Sequence, residues 1–255
     1  MSASFPSSPA HAPFFRPGFF WTAADAYLFD IDGTLLNSRD AVHYRAFQSA
    51  ARSVCAIEAG IEGLPIHGNT DPLILRAALG RASLSEEVIA DHLPQLIQQM
   101  CLAVERNSHQ LSPELCPGIT ELLVLLEKRG KMMGIVSGNL EAIGWAKLER
   151  AGLKGMFAFG SFSWPRETRA EIFSHGVDLA RQKLGPSAKV YVVGDTPSDI
   201  RAARMAEVPV IALATGVYSF PELLAAAPDA CLNSAFELFA ALAETAGGEA
   251  IPPAM

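Results

Sequence analysis

Asp30 and Asp32 stand one residue apart, directly after the apolar run Ala26-Tyr27-Leu28-Phe29 and directly before Gly33-Thr34. Two carboxylates at the end of a buried strand repel each other and resist desolvation, so something must offset them. A divalent cation does so, and all-oxygen ligands suit Mg²⁺. Successive side chains of an extended segment point opposite ways, so the two acids can take different roles. One can bind metal and attack; the other can face a leaving group. Gly33 allows tight curvature, and free N–H groups near Gly33 and Thr34 can cradle a phosphate. A plain turn after a strand also uses Asp and Gly, so this segment alone leaves both readings open.

A second acidic cluster is Gly194-Asp195-Thr196-Pro197-Ser198-Asp199. Asp195 hangs from a strand end and has no capping role, which favours metal binding. Asp199 suits either metal binding or an N-cap at the start of the next helix. Ser137-Gly138-Asn139 also closes one strand and opens a helix. Its hydroxyl and N–H groups point where a phosphoryl group would lie, although Ser and Asn are ordinary helix starters.

These segments need elements to bring them together. Apolar runs over 26–29, 132–136, 190–193 and 208–214 read as buried strands, each ended by polar or glycine residues. Helical periodicity over 119–128, 140–151, 170–184 and 199–206 fills the intervals. The alternation predicts an α/β fold, a Rossmann-like parallel sheet with helices on both faces. Loops at the C-terminal ends of such strands meet at one edge, where ligands bind. Residues 37–116 break the alternation with helical patterns over 42–56, 72–79 and 86–105, and read as an inserted all-helical cap. The core is expected over 23–36 and 117–245, with tails over 1–22 and 246–255, the first loosely ordered although its phenylalanines and Trp21 could dock.

Composition narrows the function. Half of the 255 residues are hydrophobic, and the formal charge is -7 without any basic run, which gives no support for nucleic-acid binding, and none is expected. No apolar run approaches a membrane span and no basic signal start is present, so a cytoplasmic enzyme is the default expectation. Cys55, Cys101, Cys116 and Cys231 are scattered and form no CxxC pair, so they read as reduced thiols.

Phe29-Asp30-Ile31-Asp32-Gly33-Thr34-Leu35, Ser137, and Gly194-Asp195 with Asp199 resemble the first, second and fourth motifs of the haloacid dehalogenase superfamily. The helical insertion stands where its phosphoglycolate-phosphatase-like subgroup carries a cap, and the resemblance spans about residues 26–240. The third motif, usually a lysine, departs from the pattern. Lys147, Lys154, Lys183 and Lys189 are poorly placed for it, and Arg169 takes the position, with Arg166 as runner-up. The guanidinium keeps the charge but cannot lose its proton.

The resemblance implies a Mg²⁺-dependent phosphatase acting on a small phosphorylated acid or sugar. Asp30 is its nucleophile and Asp32 its general acid and base. Asp30, Asp32 (through its carbonyl), Asp195 and Asp199 form the metal site, and Ser137 and Arg169 stabilise the transferring oxygens, with Gly33, Thr34 and Gly138 beside the phosphate. Asp32 argues against dehalogenation. The lysine-free cap argues against a Schiff-base phosphonate route. A phosphomutase and a catalytically silent binding member are the alternatives, and the four retained carboxylates disfavour the silent one. Within residues 63–72, His67, Thr70 and Asp71 resemble a substrate-facing loop, though helix capping also explains Thr70 and Asp71. His43, Arg45 and Arg76 read as solvated cap surface.

Overall fold

The computed structural model describes residues 11–246, with side chains placed to residue 241. The first strand, β1 (Phe14–Phe15), precedes β2 (Ala26–Phe29), whose four residues are all buried. After β2 come β3 (Leu36–Ser38) and three helices, α1 (Val42–Cys55), α2 (Asp71–Arg81) and α3 (Glu86–Arg106). The chain returns through β4 (Pro113–Leu115) to α4 (Ile119–Lys128), β5 (Met132–Val136) and α5 (Glu141–Arg150). The remaining order is β6 (Gly160–Ser161), α6 (Arg169–Leu184), β7 (Val190–Gly194) and α7 (Pro197–Met205). It closes with β8 (Val210–Leu213), α8 (Phe220–Ala225), β9 (Ala230–Leu232) and α9 (Phe236–Ala246).

Seven strands form one sheet in the order β1-β9-β8-β7-β2-β5-β6, parallel except for β1. β2 lies between β5 and β7, with Tyr27 level with both Met133 and Tyr191. The two-residue period of a strand divides its side chains between two cores. Tyr27 and Phe29, with Tyr191 and Val193, join α4 and α9 on one face. Ala26 and Leu28, with Val190 and Val192, join α6 and α7 on the other. This is the doubly covered parallel sheet that the alternation implies.

A third core holds α1, α2 and α3 together through Phe47, Leu75, Leu79, Leu93 and Leu96, and continues onto Leu140 and Ile143 beside α5. The insertion therefore rests its apolar face on the core next to the strand ends.

Two expectations need correction. Residues 14–15, placed in a tail, pair antiparallel with Ala230 and Cys231, and Trp21 is buried with its carbonyl accepting from the Tyr27 hydroxyl at 2.5 Å. The remainder of that tail, residues 1–10, and residues 247–255 lie outside the described residues. The insertion is entered and left by a two-stranded ribbon, Leu36 opposite Leu115 and Ser38 opposite Pro113, so it is not wholly helical. Among the described residues, no helix is long and apolar enough to cross a membrane, and the four cysteines are free.

Candidate active site

Asp30 leaves the end of β2 with its N–H donating to the Val193 carbonyl at 3.0 Å. The chain then folds back on itself, the N–H groups of Leu35 and Leu36 both reaching the Ile31 carbonyl. Gly33 has φ +89°, and a Cβ there would overlap the Asp195 carboxylate. Its turn therefore needs glycine for conformation and for space. Its N–H is bonded to the Leu36 carbonyl at 2.8 Å, and the Thr34 hydroxyl donates to Asp195 Oδ1 at 3.0 Å. Gly33 lines the cavity beside Asp30 as its place after the strand implies, but its N–H shapes the turn, while Thr34 does not line the cavity and fixes Asp195. The reason is local: the tight return of the chain turns them inward.

Asp195 follows β7 and Asp199 lies in the first turn of α7. Thr196 is the N-cap, and its side chain and backbone share Asp199 Oδ2 in a reciprocal capping box. Asp199 is thus the N3 residue, not the N-cap. Its other oxygen faces Arg169, which opens α6 after Thr168 has capped that helix. Arg169 Nε donates to Asp199 Oδ1 at 2.8 Å, and Nη2 lies 3.1 Å from Asp30 Oδ1. The guanidinium also sits over the Phe173 ring, 5.6 Å from its centroid. Arg169 is the guanidinium that reaches Asp30; Arg166 does not line the cavity.

Asp30, Asp195 and Asp199 are buried and each offers an oxygen within 4.8 Å of the others. One guanidinium faces three carboxylates, so the cluster is short of positive charge. The titration behaviour reflects this. Burial, then the charges of Asp199 and Asp32, push Asp30 up to about 7 against the pull of Arg169. Burial, then Asp199 and Asp30, raise Asp195 well above the carboxylate range. Three hard oxygen donors with an unmet negative charge fit a Mg²⁺-sized divalent cation.

Asp32 is on the other side of the turn. Lys147 Nζ lies 2.8 Å and 2.7 Å from its two oxygens, and Asn139 Nδ2 donates to it at 2.8 Å. Burial pushes Asp32 up, but Lys147 more than offsets that and holds it below the ordinary value. Lys147 was not among the expected site residues, and it pairs with Asp32. It does not stand at the third-motif position; it reaches the site from α5. Its signal was available: Lys147 lies four residues after the buried Ile143, on the apolar stripe of its helix.

Ser137 is buried at the end of β5, its Oγ accepting from the Asn139 N–H at 3.3 Å, and it lines the cavity. Gly138 packs against the insertion: a Cβ would overlap the Asn69 carbonyl, and its own carbonyl accepts from the Asp71 N–H at 2.8 Å. It is a contact point between the two parts and does not line the cavity. Of the loop residues expected to face substrate, His67 does line the cavity. Thr70 does not, since its hydroxyl donates to the Glu167 carbonyl at 2.6 Å. Asp71 borders the cavity, but Oδ2 is taken by the Leu140 N–H at 2.8 Å and His43 Nε2 at 3.1 Å. Polar groups at this seam are used to fasten insertion to core. His43 and Arg76 were expected on solvated surface. His43 is stacked on Phe47 inside the cavity wall, and Arg76 bridges Glu167 and Glu86.

The cavity between the strand ends and the insertion is about 290 Å³ and brings Asp30, Asp32, Ser137, Lys147, Arg169 and Asp195 together. An acid flanked by a guanidinium, beside a cation-seeking carboxylate cluster and a second acid on an ammonium, suits attack on an electrophilic phosphorus.

The chain is 28% identical over 224 residues to a phosphoglycolate phosphatase of Synechococcus elongatus, covering 86% of this chain and 97% of that one. Among solved structures, a predicted phosphoglycolate phosphatase from Haemophilus somnus superposes with TM-score 0.64 at 20% identity, covering 86% and 98% of the two chains. CbbY from Rhodobacter sphaeroides, solved with xylulose-(1,5)-bisphosphate, superposes with TM-score 0.62 at 21% identity, covering 84% and 96%. Residues 27–213 match the family model of the haloacid dehalogenase-like hydrolases, and the chain belongs to that family.

Proposed function

We propose that the protein is a Mg²⁺-dependent phosphomonoesterase that acts on a small phosphorylated metabolite through an aspartyl-phosphate on Asp30. The observation that carries this is the division of labour around the turn. Asp30 faces Arg169 and the metal-seeking Asp195 and Asp199, while Asp32 faces Lys147 on the opposite side.

An Asp30 oxygen attacks phosphorus and the ester P–O bond breaks, its electron pair leaving on the substrate oxygen. Asp32 gives that oxygen a proton. Because Lys147 keeps Asp32 ionised, this proton arrives with the substrate as its monoanion, whose further ionisation lies near pH 6. In the second step Asp32 takes a proton from water as it attacks phosphorus, the bond to Asp30 breaks, and phosphate leaves. Arg169 and the Ser137 hydroxyl stand where the equatorial oxygens gather charge. Asp30 and Asp195, with Asp199 behind them, would hold Mg²⁺, which supplies the positive charge that keeps Asp30 ionised and neutralises the phosphate. The names of the relatives put phosphoglycolate among the candidate substrates.

Phosphate release from phenyl phosphate, with Mg²⁺, with chelator and with Asp30→Asn, tests the reading. Release that requires both Mg²⁺ and Asp30 is expected. No Mg²⁺-dependent release from any member of a broad phosphoester panel overturns it.

A further inference from the structure

The outer half of the cavity, which a leaving group would occupy, is built by the insertion. Tyr44, Phe47, Ile61, Ile66 and Ile74 line it on that side, and Val217 lines it from the core. The insertion contains no lysine and six arginines. Among the described residues none of the six lines the cavity. Arg39 pairs with Glu114, Arg52 with Glu58, and Arg76 with Glu167 and Glu86. Arg81 donates to the Gly60 and Glu62 carbonyls. Arg45 lines a separate small recess and Arg106 is exposed at the end of α3.

Three backbone donors at the helix starts are also committed. Of the helix starts that border the cavity, the Val42 N–H is taken by Asp40, the Thr70 N–H by Asn69, and the Asp71 N–H by the Gly138 carbonyl. Lys147 and Arg169, the cations of the inner half, already carry Asp32 and the Asp30–Asp199 pair. The fixed charges nearest the outer half are the carboxylates of Asp40 and Asp71, and both histidines there, His43 and His67, are weak substitutes for a guanidinium. A second anionic group on the substrate would be desolvated here with only neutral donors such as Ser38 and Asn69, and no cation, to meet it.

We infer that the substrate carries a single phosphate on an uncharged, largely apolar or aromatic leaving group, so that a carboxylate- or bisphosphate-bearing ester is a poor substrate. This rests on the hydrolase reading and narrows it. It sets the chain apart from the substrates that the names of its relatives print, through the composition of the cap wall alone. His43 and His67 leave room for one or two hydroxyl groups on the leaving group.

The test compares phenyl phosphate with 2-phosphoglycolate on the full chain with Mg²⁺, as kcat/KM. It adds dissociation constants of the same two compounds for Asp30→Asn, measured by calorimetry. Phenyl phosphate is expected to lead by at least about tenfold in both, the discrimination of one unpaired polar group. Ile66→Lys, at a partly exposed wall position, and Val217→Lys, on the exposed rim opposite, are expected to move the ratio at least about tenfold toward 2-phosphoglycolate. Equal or better use of 2-phosphoglycolate by the unmodified chain overturns the inference and leaves the hydrolase reading standing. Binding preference without turnover of either ester, or of any member of the broad phosphoester panel, leaves the inference standing and overturns the hydrolase reading.

Discussion

Replacing Lys147 with methionine isolates what the ammonium does, because the two side chains are similar in length. Breaking one side of a fully buried ion pair costs about 3–5 kcal/mol. Lys147 is 3% exposed, but Asp32 is 39% exposed and keeps Asn139 at 2.8 Å. Water and the amide therefore take up much of the freed charge, and the expected loss is about 1 kcal/mol. That corresponds to a fall in Tm of about 2–4 °C for a chain of this size. Activity responds more. With its two-point hold gone, Asp32 is free to leave the line of the ester oxygen, and kcat falls about 100-fold.

The pH profile separates this from a packing defect. Burial, the largest influence on Asp32, would no longer be opposed by the ammonium, so its pKa rises. Asp32 then keeps its own proton to higher pH, and the alkaline limb of kcat/KM moves upward. In stability the sign is the reverse. The depressed pKa of Asp32 stabilises the unmodified fold above the ordinary carboxylate value and ceases to do so as pH falls through its folded value, so the gap in Tm closes below about pH 4. Lys147→Arg restores part of kcat. A Tm loss with kcat and the alkaline limb unchanged would refute the reasoning.

Three further outcomes follow from the carboxylate cluster. Gly216→Ala would drive a Cβ into the Asp195 carboxylate, so apparent Mg²⁺ affinity should fall at least about tenfold with little change in fold, read by Mg²⁺ titration of activity and by circular dichroism. Arg169→Lys keeps one charge but loses the fork shared by Asp30 and Asp199, and should lower kcat about 10- to 100-fold. Asp30 rises from 3.8 to about 7 on folding without metal, so its contribution to metal-free stability is full below about pH 4 and is lost as pH rises through 7. Thermal melts at about pH 5 and pH 8 should therefore show a larger Mg²⁺-induced gain in Tm at the higher pH.

Much of this arrangement was legible before any coordinates. The helices over 119–128 and 42–56 carry strong periodicity, and the four strands expected are long enough to bury a continuous apolar run on both faces. What escaped was short. β6 is Gly160–Ser161, β9 is Ala230–Leu232, and the ribbon pairs Leu36–Ser38 with Pro113–Leu115. Two or three residues hold no period, and their strand character comes from partners far along the chain. The site divides the same way. Asp30, Asp32, Asp195 and Asp199 announce themselves by type, spacing and position after strands. The uses of Thr34, Thr70 and Asp71 depend on which way a turn faces and what lies across the seam, which only the fold determines. Lys147 is the intermediate case, a charge on an apolar stripe whose partner lies 115 residues away.

The central claim is that Asp30 becomes covalently phosphorylated. Acid-quenching the enzyme during turnover of phenyl phosphate with Mg²⁺, followed by peptide mass spectrometry, tests it most directly. The account predicts one phosphoryl group on the peptide carrying Asp30, labile to hydroxylamine and absent from Asp30→Asn. Turnover without any phosphorylated peptide, or a phosphoryl group on another residue, would contradict it.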